Sequence, residues 1–265
     1  FRTYNANLVG VPMDDEGIEL ELLEKAIKEN PNTKFIYLIP NFQNPTGKTM
    51  SLARRKSVYE LCNKYDVCIL EDNPYGDLRF DGEDIPNIKS FDTEGIVFYV
   101  GSFSKILSPG LRVGFVCADE AVIKKLTVAK QCSDVHTNIL AQKICSDYIM
   151  NYDLNQHIKS IRKIYKEKYE LMLKCIKTDF SSKVKVFETC GGLFVWCVLP
   201  NNYDVVDFAN EALEKYKVAI VPGNAFLADE SQKSSCFRLN FSKPTDQEIV
   251  DGIGYLGKLT KDLFD

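Results

Sequence analysis

Histidine is nearly missing from this chain: of 265 residues only His136 and His157 carry an imidazole, and no HExxH occurs. A histidine-based metal centre therefore has little support. Cysteine is present, but not in the spacings that chelate or cross-link: the nine thiols, at 62, 68, 117, 132, 145, 175, 190, 197 and 236, are odd in number, scattered, and never CxxC. They read as small buried hydrophobes in a reducing compartment, against a disulfide framework or a zinc site. There is no long block of one charge sign, Lys+Arg 33 standing against Asp+Glu 37 for a net charge of -4. A nucleic-acid partner is not expected unless a further N-terminal domain supplies one. No apolar run approaches bilayer length and no signal peptide opens the chain, so the expectation is no membrane and a cytoplasmic location. Internal repeats, low-complexity tracts and flexible linkers are also missing.

What remains is the composition of an ordinary globule, 45% hydrophobic and 26% charged. The length allows one large domain or two modest ones. The opening FRTYNANLVGVPMDDEG reads as the end of a helix leading into a strand, with the expectation that a further segment precedes it. Residues 7–12 (NLVGVP) predict a strand, and Leu20, Leu23, Ala26 and Ile27 give 19–30 the spacing of a one-faced helix. Residues 35–39 form a continuous apolar run, expected as a strand buried on both faces of a parallel sheet. PNFQNPTG at 40–47 holds too many breakers for regular structure. Ser51 reads as a helix N-cap and 52–64 as the helix, with Val58, Leu61 and Cys62 inward. Further strands are expected at 67–70, 96–100 and 113–118, and a helix at 121–130.

This alternation predicts an α/β fold, a mostly parallel open sheet with helices on both faces, in which ligands gather beyond the carboxyl ends of the strands. Asn44, Asp72, Tyr75 and Lys105, far apart in sequence, are then expected to converge on one crevice. From Leu154 to Ile176 apolar residues recur three or four apart, as in a long amphipathic helix. Strands at 184–187, 192–199, 218–221 and 236–241, with helices at 203–216 and from Thr245, suggest a smaller α+β domain. The expected division is 1–153 and 154–265, with the long helix as connector.

The chemistry centres on GSFSKILSPGLRVG, residues 101–114. Ser102, Ser104 and Arg112 can hold a phosphate, and an amine such as Lys105 at the mouth of a pocket can lose its proton and attack a carbonyl. Alone, the stretch reads more simply as a loop with a solvated Lys and Arg. Asp72 before a Pro-containing turn can serve as a turn cap whatever else it does, Tyr75 is equally a packing residue, and Arg238, alternating with Phe237 and Leu239, is by itself most simply a solvent-facing arginine.

Taken together and in order, Asn44-Pro45-Thr46-Gly47, Asp72 with Tyr75, Ser102-Phe103-Ser104-Lys105, Arg112 and Arg238 in CFRLNFS resemble the fold-type I pyridoxal-phosphate aminotransferases. The likeness is to the class I/II branch that includes 2-aminoadipate and kynurenine aminotransferases. The resemblance covers essentially the whole chain and implies that residue 1 falls inside the family's large domain, making 1–153 its C-terminal portion. It further implies pyridoxal 5'-phosphate as cofactor, amino-acid and 2-oxo-acid substrates with 2-oxoglutarate as one partner, a ping-pong route, and a homodimer. Lys105 would bond the cofactor and then shuttle a proton. Asp72 would pair with the pyridine nitrogen, and Asn44 and Tyr75 would reach the phenolic oxygen. Ser102, Ser104 and Arg112 would hold the phosphate, and Arg238, with Asn44, the substrate carboxylate. Phe194, Trp196 and Phe226 are left outside the site as core. The alternative is the effector domain of an aminotransferase-like transcription regulator. Against it, Gln43 to Gly47 is the enzyme-like form of that loop.

Overall fold

The computed structural model describes residues 1–229 and 231–265. The chain divides into two compact units, Val11–Asn41 with Lys48–Ile161, and Phe1–Gly10 with Phe42–Gly47 and Arg162–Asp265.

The first of these units opens with a small hairpin, β1 (Met13–Asp14) and β2 (Gly17–Ile18), followed by α1 (Leu20–Glu29), β3 (Phe35–Leu38), α2 (Leu52–Lys64), β4 (Cys68–Asp72), β5 (Val97–Ser102), β6 (Gly114–Cys117), α3 (Glu120–Ser133) and α4 (Ile139–Asn151). The long helix α5 (Leu154–Asp179) begins here and ends in the other unit. The sheet runs β3-β4-β5-β6. Parallel pairing sets Leu38 beside Glu71 and Asp72 beside Val100, and β6 closes the edge antiparallel with Gly114 opposite Ser102. The fold is therefore α/β, as the alternation predicts. Its core gathers Leu23 and Ile27 of α1, Val58 and Cys62 of α2, Ile69 of β4 and Val97 of β5.

Several expectations need correction. Residues 7–12 form no strand; the first pairing begins at Met13. The strand at 35–38 is not buried on both faces, because as an edge strand it leaves Tyr37 45% exposed while Leu38 is buried. Strands β4 and β5 run two residues further than the apolar pattern suggested, so Asp72 and Ser102 are strand residues. Helix α4 went unpredicted. Among the cysteines only Cys62, Cys145 and Cys197 are buried, while Cys117, Cys132 and Cys190 are exposed, and all nine are thiols. No helix among the described residues is long and apolar enough to cross a membrane.

The second unit carries an antiparallel sheet in the order β7-β8-β10-β9, from β7 (Lys185–Phe187), β8 (Phe194–Val198), β9 (Val221–Pro222) and β10 (Cys236–Asn240). Helices α6 (Val205–Tyr216) and α7 (Asp246–Phe264) complete it with the remainder of α5. Thr245 starts α7 with a reciprocal capping box to Glu248, which satisfies end donors that no helical carbonyl can reach. Period-2 burial along β10 sends Phe237 and Leu239 into the core and leaves Arg238 on the other face.

One buried side chain organises the first unit. Arg55 on α2 has no solvent access, so each of its donors needs a protein acceptor. Its Nε donates to the Met50 carbonyl at 3.0 Å, Nη1 to the carbonyls of Ile85 and Pro86 at 3.2 and 3.0 Å, and Nη2 to the Pro40 carbonyl at 3.1 Å and Asn41 Oδ1 at 2.6 Å. Burial draws its pKa down to about 10, against an upward pull from Glu71, so it remains a cation at neutral pH. Glu71 is equally buried and accepts from the backbone N–H of Ile88 and Lys89, both at 2.8 Å. The guanidinium thus holds both flanks of the 41–49 segment to α2 and to the loop ahead of β5. Arg55→Ala strips these carbonyls of their donors and should lower the unfolding free energy by about 3–5 kcal/mol, as when a buried charge network loses one member. Urea titration measures this, and a loss below about 1 kcal/mol would mean that the carbonyls find other donors.

Candidate active site

At the carboxyl ends of β4 and β5 the first unit assembles most of the candidate residues. The register Asp72 to Val100 brings the Asp72 carboxylate to the strand ends from which Ser102, Ser104 and Lys105 emerge. Side-chain alternation along β4 buries Ile69 and Glu71 on one face and turns Leu70 and Asp72 to the other. There Asp72 Oδ2 accepts a hydrogen bond from the Tyr37 hydroxyl at 2.6 Å. Burial raises the Asp72 pKa, and the Tyr37 hydrogen bond opposes that rise. The Tyr37 phenol is itself pushed well above its ordinary value, first by burial and then by the neighbouring carboxylate.

Asn73 builds the turn that follows. Its backbone N–H donates to the Val100 carbonyl at 2.9 Å, and its side-chain amide donates to the Tyr99 hydroxyl at 3.0 Å. Its Oδ1 accepts from Asn41 at 3.0 Å and from the Gly76 N–H at 3.1 Å. A Cβ on Gly76 would meet the Asn73 side-chain amide at 2.6 Å, so any larger residue there would have to displace the amide that holds the turn. It carries Tyr75, which is buried.

Beyond β5 the chain folds back immediately. Ser102 Oγ accepts from the Ser104 N–H at 3.1 Å, and the Phe103 carbonyl accepts from the Leu107 N–H at 2.8 Å. Phe103, Leu107 and Leu111 pack against Val113, Ala141 and Cys145, which backs the segment that carries Lys105. Arg112 adopts the left-handed conformation with φ 55° and is exposed; its Nη1 donates to the Pro109 carbonyl at 3.4 Å.

Asn44 and Arg238 belong to the other unit, where they meet each other. Arg238 Nη1 donates to Asn44 Oδ1 at 2.5 Å. The Asn44 loop is shaped by its own side chains and by Thr189: Gln43 Oε1 accepts from the Thr46 N–H at 3.0 Å and hydroxyl at 2.7 Å, and Thr189 donates to the Gly47 carbonyl at 3.0 Å. Gly192 has φ +73°, and a Cβ there would meet Phe42 at 2.6 Å. The Asn44–Pro45 peptide is cis. The Arg238 guanidinium lies 4.2 Å from the Phe194 ring centre and 5.2 Å from that of Phe226. These two rings, set aside as core in the sequence, therefore flank the candidate clamp. Trp196 packs on Phe226 with ring centres 6.1 Å apart.

Tyr37, Phe194 and Phe226 are the residues that sequence reasoning missed. Tyr37 was hidden in an apolar run read as wholly buried, although period-2 alternation from Leu38 would have turned it outward. For the two phenylalanines nothing in the sequence distinguishes a ring on a guanidinium from a ring in the core. No cluster of three or more His, Cys, Asp or Glu suited to a metal ion occurs among the described residues.

The family model for aminotransferase class I and II matches residues 1–256, and the chain belongs to that family. The aromatic-amino-acid aminotransferase 1 of Thermococcus litoralis is 42% identical over 99% of this chain and 63% of its own length. The 2-aminoadipate transaminase of Thermus thermophilus is 34% identical over 99% of this chain and 66% of its own length. Among solved structures, Pyrococcus horikoshii kynurenine aminotransferase in complex with PMP superimposes with a TM-score of 0.92 at 39% identity, covering 97% of this chain and 64% of that one. The chain therefore spans just under two thirds of the length of these relatives.

The elevated Asp72 pKa gives a testable stability signature. A carboxyl that binds its proton more tightly when folded contributes its full stability below the unfolded pKa and loses it as pH rises through the folded one. Asp72→Asn removes that loss while keeping an oxygen for Tyr37. The variant should melt higher than wild type at neutral pH, with the gap closing as pH falls into the carboxylate range. A wild type that melts higher at neutral pH would overturn this.

Proposed function

We propose that this protein is an aminotransferase that uses pyridoxal phosphate to move an amino group between an amino acid and a 2-oxo acid. The observation that carries this reading is the register of β4 on β5, which sets the Asp72 carboxylate beside the strand that ends in Ser102 and leads to Lys105. The donor set fits the cofactor. A half-buried carboxylate suits a protonated ring nitrogen, and two serines with an exposed arginine suit a phosphate. When bound, the cofactor supplies an aldehyde and a ring that withdraws electrons from the substrate Cα.

Lys105 would bond that aldehyde until the substrate amine displaces it, and would then carry the proton from the substrate Cα. Asp72 would hold a proton at the ring nitrogen, and Tyr75 and Asn44 would donate to the phenolic oxygen. Ser102, Ser104 and Arg112 would take the phosphate. Arg238, stacked by Phe194 and Phe226 and bonded to Asn44, would grip the substrate α-carboxylate. The large cofactor domain would include 1–153 and the smaller domain 154–265. We further infer 2-oxoglutarate as one partner, a ping-pong route, a cytoplasmic homodimer, and an amino donor within the aromatic and 2-aminoadipate range of the relatives. The regulator alternative is not favoured: aminotransferases match at up to 42% identity, whereas the HTH-type transcriptional regulator YisV of Bacillus subtilis matches at 31%, over 96% of this chain and 51% of its own length.

The test uses protein expressed from its complete reading frame. Wild type should take up pyridoxal phosphate with a visible absorbance band and exchange amino groups with a panel of donors, and Lys105→Ala should abolish the covalent attachment. Wild type that neither binds the cofactor nor exchanges amino groups with any donor would sink the reading. Arg238→Gln should raise KM for the amino acid roughly 10- to 100-fold, the worth of a lost charge-assisted carboxylate contact, with a smaller effect on kcat. An unchanged KM would remove Arg238 from its role.

A further inference from the structure

Tyr37 has no part in the assignment above, yet its hydroxyl ends on the carboxylate at the centre of it. On β3 it stands opposite Leu70 in the parallel register, and Asp72 lies two residues further along β4 on the same face as Leu70. We propose that Tyr37 is a positioning residue for the ring-binding carboxylate: its O–H, donated to Asp72 Oδ2 at 2.6 Å, fixes the carboxylate's orientation and keeps the shared proton on the cofactor's ring nitrogen. The inference rests on the proposed pairing of Asp72 with pyridoxal phosphate.

The separation lies in the range of charge-assisted O–H to carboxylate bonds. Such a bond stabilises the ionised carboxylate and lowers its affinity for a proton. Burial acts in the opposite sense on Asp72. Without the phenol, burial would act alone, and a proton shared between the second carboxylate oxygen and a ring nitrogen would move towards the carboxylate. The phenol remains a donor because burial, Asp72 and the nearby Tyr75 all disfavour its ionised form. A second consequence is geometric. A carboxylate turns about two torsions, and a bond on one oxygen leaves the other aimed in a single direction, as outer-sphere partners do for metal-binding carboxylates.

Tyr37→Phe removes one oxygen and keeps the ring. With isotope-labelled pyridoxal phosphate bound, the ring-nitrogen NMR resonance should lie in the protonated range for wild type and move towards neutral pyridine in Y37F, with D72N as the neutral reference. Cofactor affinity should fall roughly tenfold, the lower end of what outer partners of a ligating group contribute. The cofactor-free protein supplies an independent readout. In aspartate-labelled wild type, the Asp72 carboxyl carbon, assigned by its loss in D72N, should show a deuterium isotope shift in mixed H2O and D2O that Y37F abolishes. This wild-type measurement decides the bond even if Y37F does not fold. Equal ring-nitrogen protonation in wild type and Y37F, or no isotope shift at Asp72, would overturn the proposal. Failure of wild type to bind the cofactor, with the isotope shift present, would instead overturn the functional reading on which it rests.

Discussion

A guanidinium removed from water is stable only if its donors all find acceptors, and much of the first unit is arranged around that requirement at Arg55. The acceptors are backbone carbonyls on both flanks of the 41–49 segment and ahead of β5, joined by the side-chain oxygen of Asn41. Each of these segments is irregular and would otherwise present unsatisfied carbonyls to the interior. One charged side chain thus solves a bonding problem for several loops at once. Glu71 does the same from the acceptor side, capturing the N–H groups of Ile88 and Lys89. Next to Glu71 in sequence, and on the opposite face of the sheet, stands Asp72.

That adjacency matters for chemistry. Period-2 alternation lets one strand end deliver a structural carboxylate inward and a candidate catalytic carboxylate outward, with no further backbone specialisation. The two are satisfied differently. Glu71 is saturated by backbone donors, whereas the partner seen on Asp72 Oδ2 is a phenol. In the other unit the same economy appears at Arg238, whose strand neighbours Phe237 and Leu239 form core while its own side chain is stacked by Phe194 and Phe226 and bonded to Asn44. Aromatic faces leave the planar fork's edge directed by hydrogen bonds, which suits recognition of a carboxylate.

Helices were the most legible part of the sequence, because a one-faced apolar period and a capping residue are local signals: Leu20–Glu29 follows the first, and Leu52–Lys64 starts behind the Ser51 cap. Helix α4 escaped because its apolar residues include exposed Ile139, Leu140 and Met150, which blur the period. Strand ends were misjudged where polar residues continue the ladder, as at Asp72 and Ser102, since pairing depends on the neighbouring strand and not on hydrophobicity. Arg55 was unreadable: arginine within a helix signals solvent until the surrounding carbonyls are known.

The chain by itself determined the order of its chemical groups, the α/β alternation, the breakers that make the 40–47 loop irregular, and the family to which those motifs belong. Tertiary structure alone decided that Tyr37 bonds to Asp72, that Phe194 and Phe226 flank Arg238, and that Arg55 is interior. The reason is common to all three. Each depends on the registration of segments distant in sequence, and a shift of one residue in a strand would turn the same side chains to the opposite face.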